Sequence, residues 1–487
     1  MRSVLIIISI LLPILGGVRL LVSAPKTVSG RRIWCELITC VTSVLVWIVI
    51  LGGPCEIFTV YSFTRGYRIA FQLDGLGMLF AGMVSLMWPF VTLYAYEYME
   101  HAEHKVIFFA FYVMTYGVTL GVCFAGNILT LYVFYEMLSL VTIPLVTHYQ
   151  NSESMYAGRV YAGYVIGGAA AALITVMVTT MYAIPAFTLG GHSFHELSDN
   201  FMLLIYLIGF FGFGVKAAVM PFHIWLPTAS VAPTPVTALL HAVAVVNSGV
   251  FAIMRLTWYV FSPETLAGTW AQKVAVTVSF VTLTAAAARA LKERHFKRRL
   301  AYSTVSNLSY MLFGVMLLNP TGYVAGMAHM LFHGVIKMSL FLCAGAFMHQ
   351  SGRSYVYEIN GAGRKMPLTF TFYTLGALSL TGIPMFCGFI SKWNLLLAGA
   401  QAGTVYSYIG TGCLIVAAFF CAIYTLSVSL RAFFPVSDED RWRGKELSDP
   451  GWRMLLPIGV FTAVNILLGI FPGPVMDFLG RIAAGLL

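Results

Sequence analysis

The sequence predicts an all-α polytopic membrane protein of about 14 transmembrane helices, organised as two inverted five-helix repeats with broken helices 7 and 12. Three observations carry this reading. Hydrophobic residues fill 59% of the 487 positions and charged residues only 10%, and the mean hydropathy is +0.83. No water-soluble fold can hide that much apolar surface. Apolar runs of about 20 residues, the length that spans a bilayer, recur from one end to the other. Two of those runs, the seventh and the twelfth, combine a proline with a lysine inside the apolar stretch.

The fourteen runs cover 3–22, 33–60, 76–98, 106–125, 126–147, 160–184, 201–226, 234–261, 273–290, 301–318, 322–349, 367–398, 404–434 and 452–478. The first has the length of a secretory signal. Its end, GGVRLLVSAPK, offers no small-x-small cleavage site, so it reads as a retained helix. Helices 1–3 (1–105) form an N-terminal group in which Asp74, Glu97 and the acidic stretch from Tyr96 to His104 read as solvated helix ends or loop. Helices 4–8 (106–261) and 9–13 (273–434) form the two repeats, and 452–487 holds helix 14. Adjacent repeats with an odd number of helices have opposite topology, and inverted repeats with broken helices at mid-membrane are the architecture of ion-coupled transporters.

The formal net charge of +10 reports topology rather than a nucleic-acid partner. Lys26, Arg31, Arg32, Lys105, Arg159, Arg289, Lys292, Arg294, Lys297, Arg298, Arg299, Arg353, Arg364, Lys365, Arg431, Arg441, Arg443, Lys445 and Arg453 fall on one side of alternating loops. Only Arg2, Arg65, Arg68, Lys273 and Arg481 fall on the other. This positive-inside bias places both termini outside the cytoplasm of a prokaryotic-type cell membrane. The eight cysteines show no C-x-x-C or metal spacing and read as small buried hydrophobes. No nucleotide-binding glycine motif, haem site or iron–sulfur signature is present, so no cofactor is expected. The chain has no active site of its own to suggest; calling it part of an enzyme depends on the complex around it.

Inside the membrane, polar groups are few and placed with regularity. In GNILTLYVFYEMLSLVTIPLV of helix 5, Glu136 sits near the middle of an apolar span, and of the nineteen acids it alone is read deep inside a helix. Helix 7 places Lys216 where hydrocarbon is expected. An isolated ammonium there costs at least ~2.5–3.5 kcal/mol, so it needs a protein or water partner. A Glu136–Lys216 ion pair is the economical assumption; a glutamate satisfied by backbone or water is the alternative. Pro221 cannot donate to the carbonyl of Ala217, so helix 7 should break beside Lys216. In helix 12, Pro384 breaks the helix, Gly382 and Gly388 loosen it, and Lys392 follows.

Helix 8 carries His241, with Arg255 near its end. Helix 11 sets His329, His333 and Lys337 at i, i+4 and i+8, one face of a helix. That ridge covers ~12 Å of a ~30 Å hydrocarbon core, with ~6 Å between successive groups. The histidine pair could hold zinc, but no Cys, Asp or Glu stands near enough in sequence to complete four ligands. Core histidines satisfied by neighbours are a second reading, and a proton relay is the preferred one. His223, beside Pro221, is a candidate inlet group. The loop RALKERHFKRRLAYSTVSNLSYM reads as a solvated anchor at the headgroups. The polar segment FPVSDEDRWRGKELSDPGWR reads as solvated, or as a surface where another polypeptide could pack.

Five segments resemble the antiporter-like subunits shared by respiratory complex I, Mrp-type cation/proton antiporters and membrane-bound hydrogenases. They are GNILTLYVFYEMLSL, GVKAAVMPFHIWLPTASVAPTPVTALLHA, KRRLAYSTVSNLSYM, HMLFHGVIKMSLFLCAGA and GIPMFCGFISKW. The likeness runs from helix 4 to helix 13 and extends to motif order and spacing. It implies Glu136 and Lys216 as the buried pair, and His241, Lys337, His329 and His333 as the bridge between halves. It also implies Lys392 as the residue controlling the far half-channel, which favours the lysine-bearing branches over the glutamate-bearing one. Two features depart from the pattern. His295 stands where many members carry an acid, and the sequence ends after helix 14 without a long lateral helix. The second departure is what a shorter, Mrp D-like member would show. The resemblance implies other membrane subunits as partners, in lipid, with protons as the moved species and Na+ as the rival.

A mechanism follows from these residues. Burial disfavours a charged lysine, while a carboxylate ~4 Å away at an effective dielectric of about 20 returns ~4 kcal/mol. The two effects are comparable, so opening and closing the pair would move a proton along the row toward Lys392, with the broken helices as the bistable element. A hard cation wants several oxygen ligands, and one deep carboxylate favours protons over Na+. The competing functions are Na+ translocation, a non-transporting scaffold for a redox partner, and a carrier for a small organic substrate.

Overall fold

The computed structural model describes residues 2–64, 67–182, 186–192, 199–435 and 447–487. Arg65, Arg441, Arg443 and Lys445, used above for the charge bias, lie outside the described residues, as does the polar segment over 436–446.

The predicted helices follow one another in order. They are α1 (Arg2–Ser23), α2 (Val28–Leu51), α3 (Gly75–Tyr98), α4 (Lys105–Cys123), α5 (Ile128–Val146) and α6 (Ser152–Tyr182). Next, α7 (Asp199–Gly214) stops short and gives way to turns and one helical turn, Trp225–Thr228. Two pieces, Thr234–Ala242 and Val245–Arg255, make up α8. Then come α9 (Trp270–Lys292), α10 (Phe296–Met316) and α11 (Pro320–Ser351), followed by α12 as Pro367–Thr381 and Cys387–Gln401. The chain closes with α13 (Val405–Phe433), α14 (Trp452–Ile470) and α15 (Gly473–Ala483). Among the described residues eleven of these are long and apolar enough to cross a membrane. The divided α7 and α12, and α10 with its polar first turn, complete the fourteen.

Helix starts are encoded locally. Thr27, Asp74, Asn127, Thr269, Asn319 and Thr404 each accept a bond from the backbone N–H three residues on, which satisfies a donor the helix leaves orphaned. Helices 8 and 11 are the enclosed ones: 100% and 94% of their apolar windows are buried, against 39% for α1, α2, α6, α13 and α14. The side chains of α8 and α11 therefore face protein, and the outer helices present their apolar surface to lipid. One end of the bundle carries the basic loops. The other carries an antiparallel hairpin, β1 (Cys55–Thr64) and β2 (Tyr67–Leu73).

The structure corrects the sequence reading in several places. The second run, 33–60, is not one helix: α2 ends at Leu51 and the rest enters β1. Hydropathy alone cannot separate the two, although the β-branched and aromatic residues of EIFTVYSF favour a strand. The hairpin is tied down by Thr130, whose Oγ1 accepts from the Ala70 N–H at 2.9 Å, and by Asn127, whose Nδ2 donates to the Arg68 carbonyl at 2.9 Å. The last run splits at Phe471 and Pro472 into α14 and the short α15. Glu36 also lies inside a helix, with Oε2 buried and unpartnered within the chain.

Asp74 is the largest correction, because it is buried rather than solvated. Its Oδ1 accepts from the Gly77 N–H at 2.9 Å and from Arg255 Nη2 at 2.6 Å, while Oδ2 receives Nη1. Arg255 lies against the rings of Phe187, Phe251 and Tyr259. One carboxylate thus caps α3 and locks it to the far end of α8. Removing it with Asp74→Ala strands a buried guanidinium, a change worth ~3–5 kcal/mol. The expected outcome is a clear drop in thermal midpoint in detergent, larger than that of the double variant Asp74→Ala/Arg255→Leu.

Candidate functional site

The first part of the site is built at the break in α7. After Gly214 the chain turns tightly: Val219 N–H bonds back to the Gly214 carbonyl at 3.0 Å, and Ala218 has φ +53. Lys216 sits in this turn, fully buried. The turn lies against α8 at Gly249, where an added Cβ would stand 2.4 Å from Ala217 N and 2.8 Å from the Lys216 carbonyl carbon. Only glycine allows that approach. The Lys216 ammonium donates to the Tyr135 carbonyl and stands 3.5 Å from the centroid of the Tyr135 ring. Tyr135 is held in turn by its hydroxyl, which donates to the Phe213 carbonyl at 3.1 Å.

Glu136 is the next residue along α5. It is half-buried, and its Oε2 has no partner among the described residues. Among the described residues Glu136 and Lys216 form no ion pair within 4.0 Å. The lysine's seat is the carbonyl of the residue that precedes Glu136, the carboxylate that the sequence paired it with.

The middle of the site is the second break, in α8, which the sequence did not signal because no proline marks it. Val243 leaves helical geometry (φ −135, ψ −62), and Asn247 Nδ2 donates to the Ala242 carbonyl at 2.7 Å. His241 ends the first piece of α8, fully buried, with both ring nitrogens unpartnered among the described residues. Its ring packs on Phe341 with centroids 4.9 Å apart, and Lys337 Nζ stands 5.9 Å from the centroid of that same ring. Lys337 donates to the Leu300 carbonyl at 3.0 Å and to Ser303 Oγ.

Beyond Lys337 the polar groups join through hydrogen bonds. Asn307 Nδ2 donates to the Ser303 carbonyl at 2.7 Å, which turns Oδ1 toward His329 Nε2 at 3.1 Å. A carboxamide oxygen can only accept, so Nε2 must carry a hydrogen. His329 Nδ1 then faces Ser391 Oγ at 2.9 Å. Lys392, the next residue, donates to the Leu380 carbonyl and to the Thr381 carbonyl at 3.1 Å. Those carbonyls end the first piece of α12, which Gly382 closes with φ +99. A cation there also complements the negative end of the half-helix dipole. His333 stands between the two stretches: its ring is 6.1 Å from that of His329, and both of its nitrogens are unpartnered among the described residues.

The structure thus brings Lys216, His241, His333, Lys337, His329 and Lys392 into the buried interior across the breaks of α7, α8 and α12. Pro221 and Pro384 lie in the links beside those breaks. His223 is off the row, half-buried, with its ring 6.4 Å from that of Tyr302.

Three groups escaped the sequence reading. Ser303 and Asn307 are spaced i, i+4 in the polar stretch STVSN, a signal that periodicity could have caught. Lys297 belongs to the loop read as a solvated anchor, yet it is only 4% exposed and donates to the Ala232 carbonyl at 2.8 Å. It lies on the same stripe as Leu300 and Thr304 and lines a cavity of about 240 Å³, with Glu153 and His295, at the basic-loop end. His295 caps α10: its Nδ1 accepts from the Arg298 N–H at 3.4 Å, the role an acid would fill there. Burial, with Lys297 and Arg298 nearby, pushes its imidazolium down to about 4, so the capping nitrogen is free at neutral pH.

Fold and site together define a polytopic membrane protein with buried lysines and histidines beside the breaks of three helices. The profile of the family described as NADH:quinone oxidoreductase/Mrp antiporter, TM, matches residues 125–420. The chain belongs to that family. It is 30% identical over 422 residues to the A/B subunit of a probable K(+)/H(+) antiporter of Rhizobium meliloti (strain 1021), covering 84% of this chain and 40% of that one. It is 29% identical over 441 residues to the A1 subunit of a Na(+)/H(+) antiporter of Staphylococcus aureus (strain JH9), covering 84% of this chain and 53% of that one. The chain therefore spans about half the length of the curated relatives it matches.

Its fold is also that of subunits in solved assemblies. The Mrp complex from Dietzia sp. DQ12-45-1b gives a TM-score of 0.85 at 21% identity, covering 100% of this chain and 97% of that one. The membrane-bound sulfane sulfur reductase, an archaeal respiratory membrane complex, gives 0.86 at 20%, covering 99% and 97%. Respiratory complex I from Thermus thermophilus with bound NADH gives 0.81 at 22%, covering 99% and 98%. At these identities the likeness is one of fold.

The unpartnered histidines lead to a prediction. A buried polar group without a partner lowers stability by ~1–3 kcal/mol, and an apolar replacement removes that penalty. His241→Leu and His333→Leu should leave the thermal midpoint in detergent unchanged or raised. A marked loss of stability in both would mean that these rings hold the fold together.

Proposed function

We propose that this chain is a proton-translocating membrane subunit of a multi-subunit, ion-coupled complex in a prokaryotic-type cell membrane. The observation that carries the proposal is the set of enclosed groups Lys216, His241, His333, Lys337, His329 and Lys392 at the breaks of α7, α8 and α12 and on α11, the section from Lys337 to His329 and Ser391 being joined by Ser303 and Asn307. In this reading the halves 106–261 and 273–434 each contribute one gate, at the α7 and α12 breaks. Both termini face away from the cytoplasm, as the basic loops imply.

The gate is a change of partner. Lys216 rests on the Tyr135 carbonyl, with Glu136 one residue further. A small movement of the α7 turn would exchange carbonyl for carboxylate and so alternate between a held and a released proton. Lys297, reached through its cavity at the basic-loop end and seated on the Ala232 carbonyl, is a better inlet than His223. Lys392 is the release group of the second half.

Protons are favoured over Na+ as the moved species by one observation. The carbonyls of Leu380 and Thr381, freed at the α12 break and suited to a hard cation, are taken by the Lys392 ammonium. The relatives are named as K+/H+ and Na+/H+ antiporter subunits, and we assign the proton limb of such an exchange to this chain. Those names, and the assemblies of similar fold, support other membrane subunits as its partners.

The test is the purified complex in proteoliposomes, with proton and Na+ fluxes read separately. Glu136→Gln and Lys216→Ala should each lower proton movement at least about tenfold, the loss expected when ~1.4 kcal/mol or more of gating free energy disappears. Wild-type proton flux in both variants would sink the gate. Asn307→Leu should slow flux while leaving assembly intact, because it removes the acceptor that sets the His329 hydrogen.

A further inference from the structure

Outside the buried file, a cavity of about 520 Å³ opens at the basic-loop end between α9, α10 and α13. Lys292, Arg294, Arg299 and Arg431 line it, with Tyr424 and Ser427 behind them. Arg299 is held in place: Nε donates to the Glu293 carbonyl at 2.9 Å, and Nη1 donates to the Tyr424 carbonyl and to Ser427 Oγ, both at 3.3 Å. Among the described residues none of the four cations lies within 4.0 Å of a carboxylate.

Two acids that neighbour lining residues in sequence, Glu293 beside Lys292 and Glu358 beside Tyr357, are turned to backbone instead. Glu293 Oε1 accepts from the His295 N–H at 2.9 Å, and Glu358 Oε2 accepts from the N–H groups of Ser354 at 3.1 Å and Tyr355 at 2.9 Å. Arg299 and Arg431 line the same recess, so their like charges disfavour one another there. An anion between them would turn that repulsion into two attractions, and guanidinium forks match phosphate oxygens in geometry.

A second observation identifies what carries the phosphate. Along α13, below the cations, Val416, Phe419 and Ile423 are 45%, 66% and 47% exposed, and their spacing places them on one stripe. Ile423 also lines the cavity. A basic recess continuing into an exposed apolar track, on a helix at the bilayer surface, fits a headgroup with an acyl chain. A free anion would have no use for the track.

We infer that this cavity is a binding site for an anionic phospholipid, its phosphate between Arg299 and Arg431 and a chain along 416–423. The site is independent of the transport reading, since no residue of the file lines it.

The test titrates phosphatidylglycerol into the delipidated complex in detergent and reads bound lipid by native mass spectrometry. Phosphatidylcholine and inorganic phosphate are run in parallel. Removing one such charge weakens binding about fivefold, so Arg299→Gln/Arg431→Gln should lose roughly 25-fold for phosphatidylglycerol. It should leave phosphatidylcholine unchanged, and millimolar phosphate should not compete. If the double variant fails to assemble, Lys292→Gln/Arg294→Gln alters only exposed side chains and should show the same selective loss. Equal binding of the two lipids, binding unaffected by the charge variants, or displacement by inorganic phosphate would each overturn the assignment.

Discussion

An ammonium inside a membrane protein must be received by something, and in this chain the receiver is the peptide carbonyl. Lys216 rests on Tyr135, Lys297 on Ala232, Lys337 on Leu300, and Lys392 on Leu380 and Thr381. A carbonyl is a moderate partner. A hydrogen bond to a charged group contributes ~1.5–3 kcal/mol, whereas an interfacial pair of opposite charges can couple by up to ~7 kcal/mol. Lysines seated on carbonyls are therefore stable enough to exist in the interior and loose enough to change state. The contrast is Arg255, pinned bidentately to Asp74, a charge used to fasten helices.

The architecture supplies those seats. Helix breaks expose carbonyls and tilt side chains inward, and α8 and α11 lie where lipid cannot reach. The divided α7 and α12 occupy the fourth place in each five-helix group. The α8 break adds a third interruption midway, which ends a half-helix at His241. Gly249 permits the α7 turn to press on α8, so the setting of Lys216 depends on packing as well as on the helix end.

Much of this was legible in the sequence. Proline acts through local chemistry, so Pro221 and Pro384 announced two breaks, and helical periodicity announced the His329–His333–Lys337 ridge. What escaped depends on tertiary partners. The α8 break hangs on the Asn247 side chain reaching the Ala242 carbonyl, which no local propensity encodes. Lys297 sits in a basic cluster whose other members are exposed or half-buried, and only its register on α10 separates it from them. Glu136 and Lys216 were matched by charge, but a sequence shows charges and not backbone acceptors, so the Tyr135 carbonyl between them was invisible. Asp74 looked like a cap and is one; its pairing with Arg255 spans 181 residues.

The file is uneven along its length. From Lys337 to Ser391 each polar group is within hydrogen-bonding distance of the next or shares a residue with it, whereas between His241 and Lys337 the shared neighbour is the aromatic face of Phe341. If charge follows this route, the far section conducts by bond rearrangement, while the central step waits on a ring rotation or a transient water. Such a route is a wire in series with a turnstile, and the packing of one phenylalanine adds a step beyond the exchange of partners at Lys216.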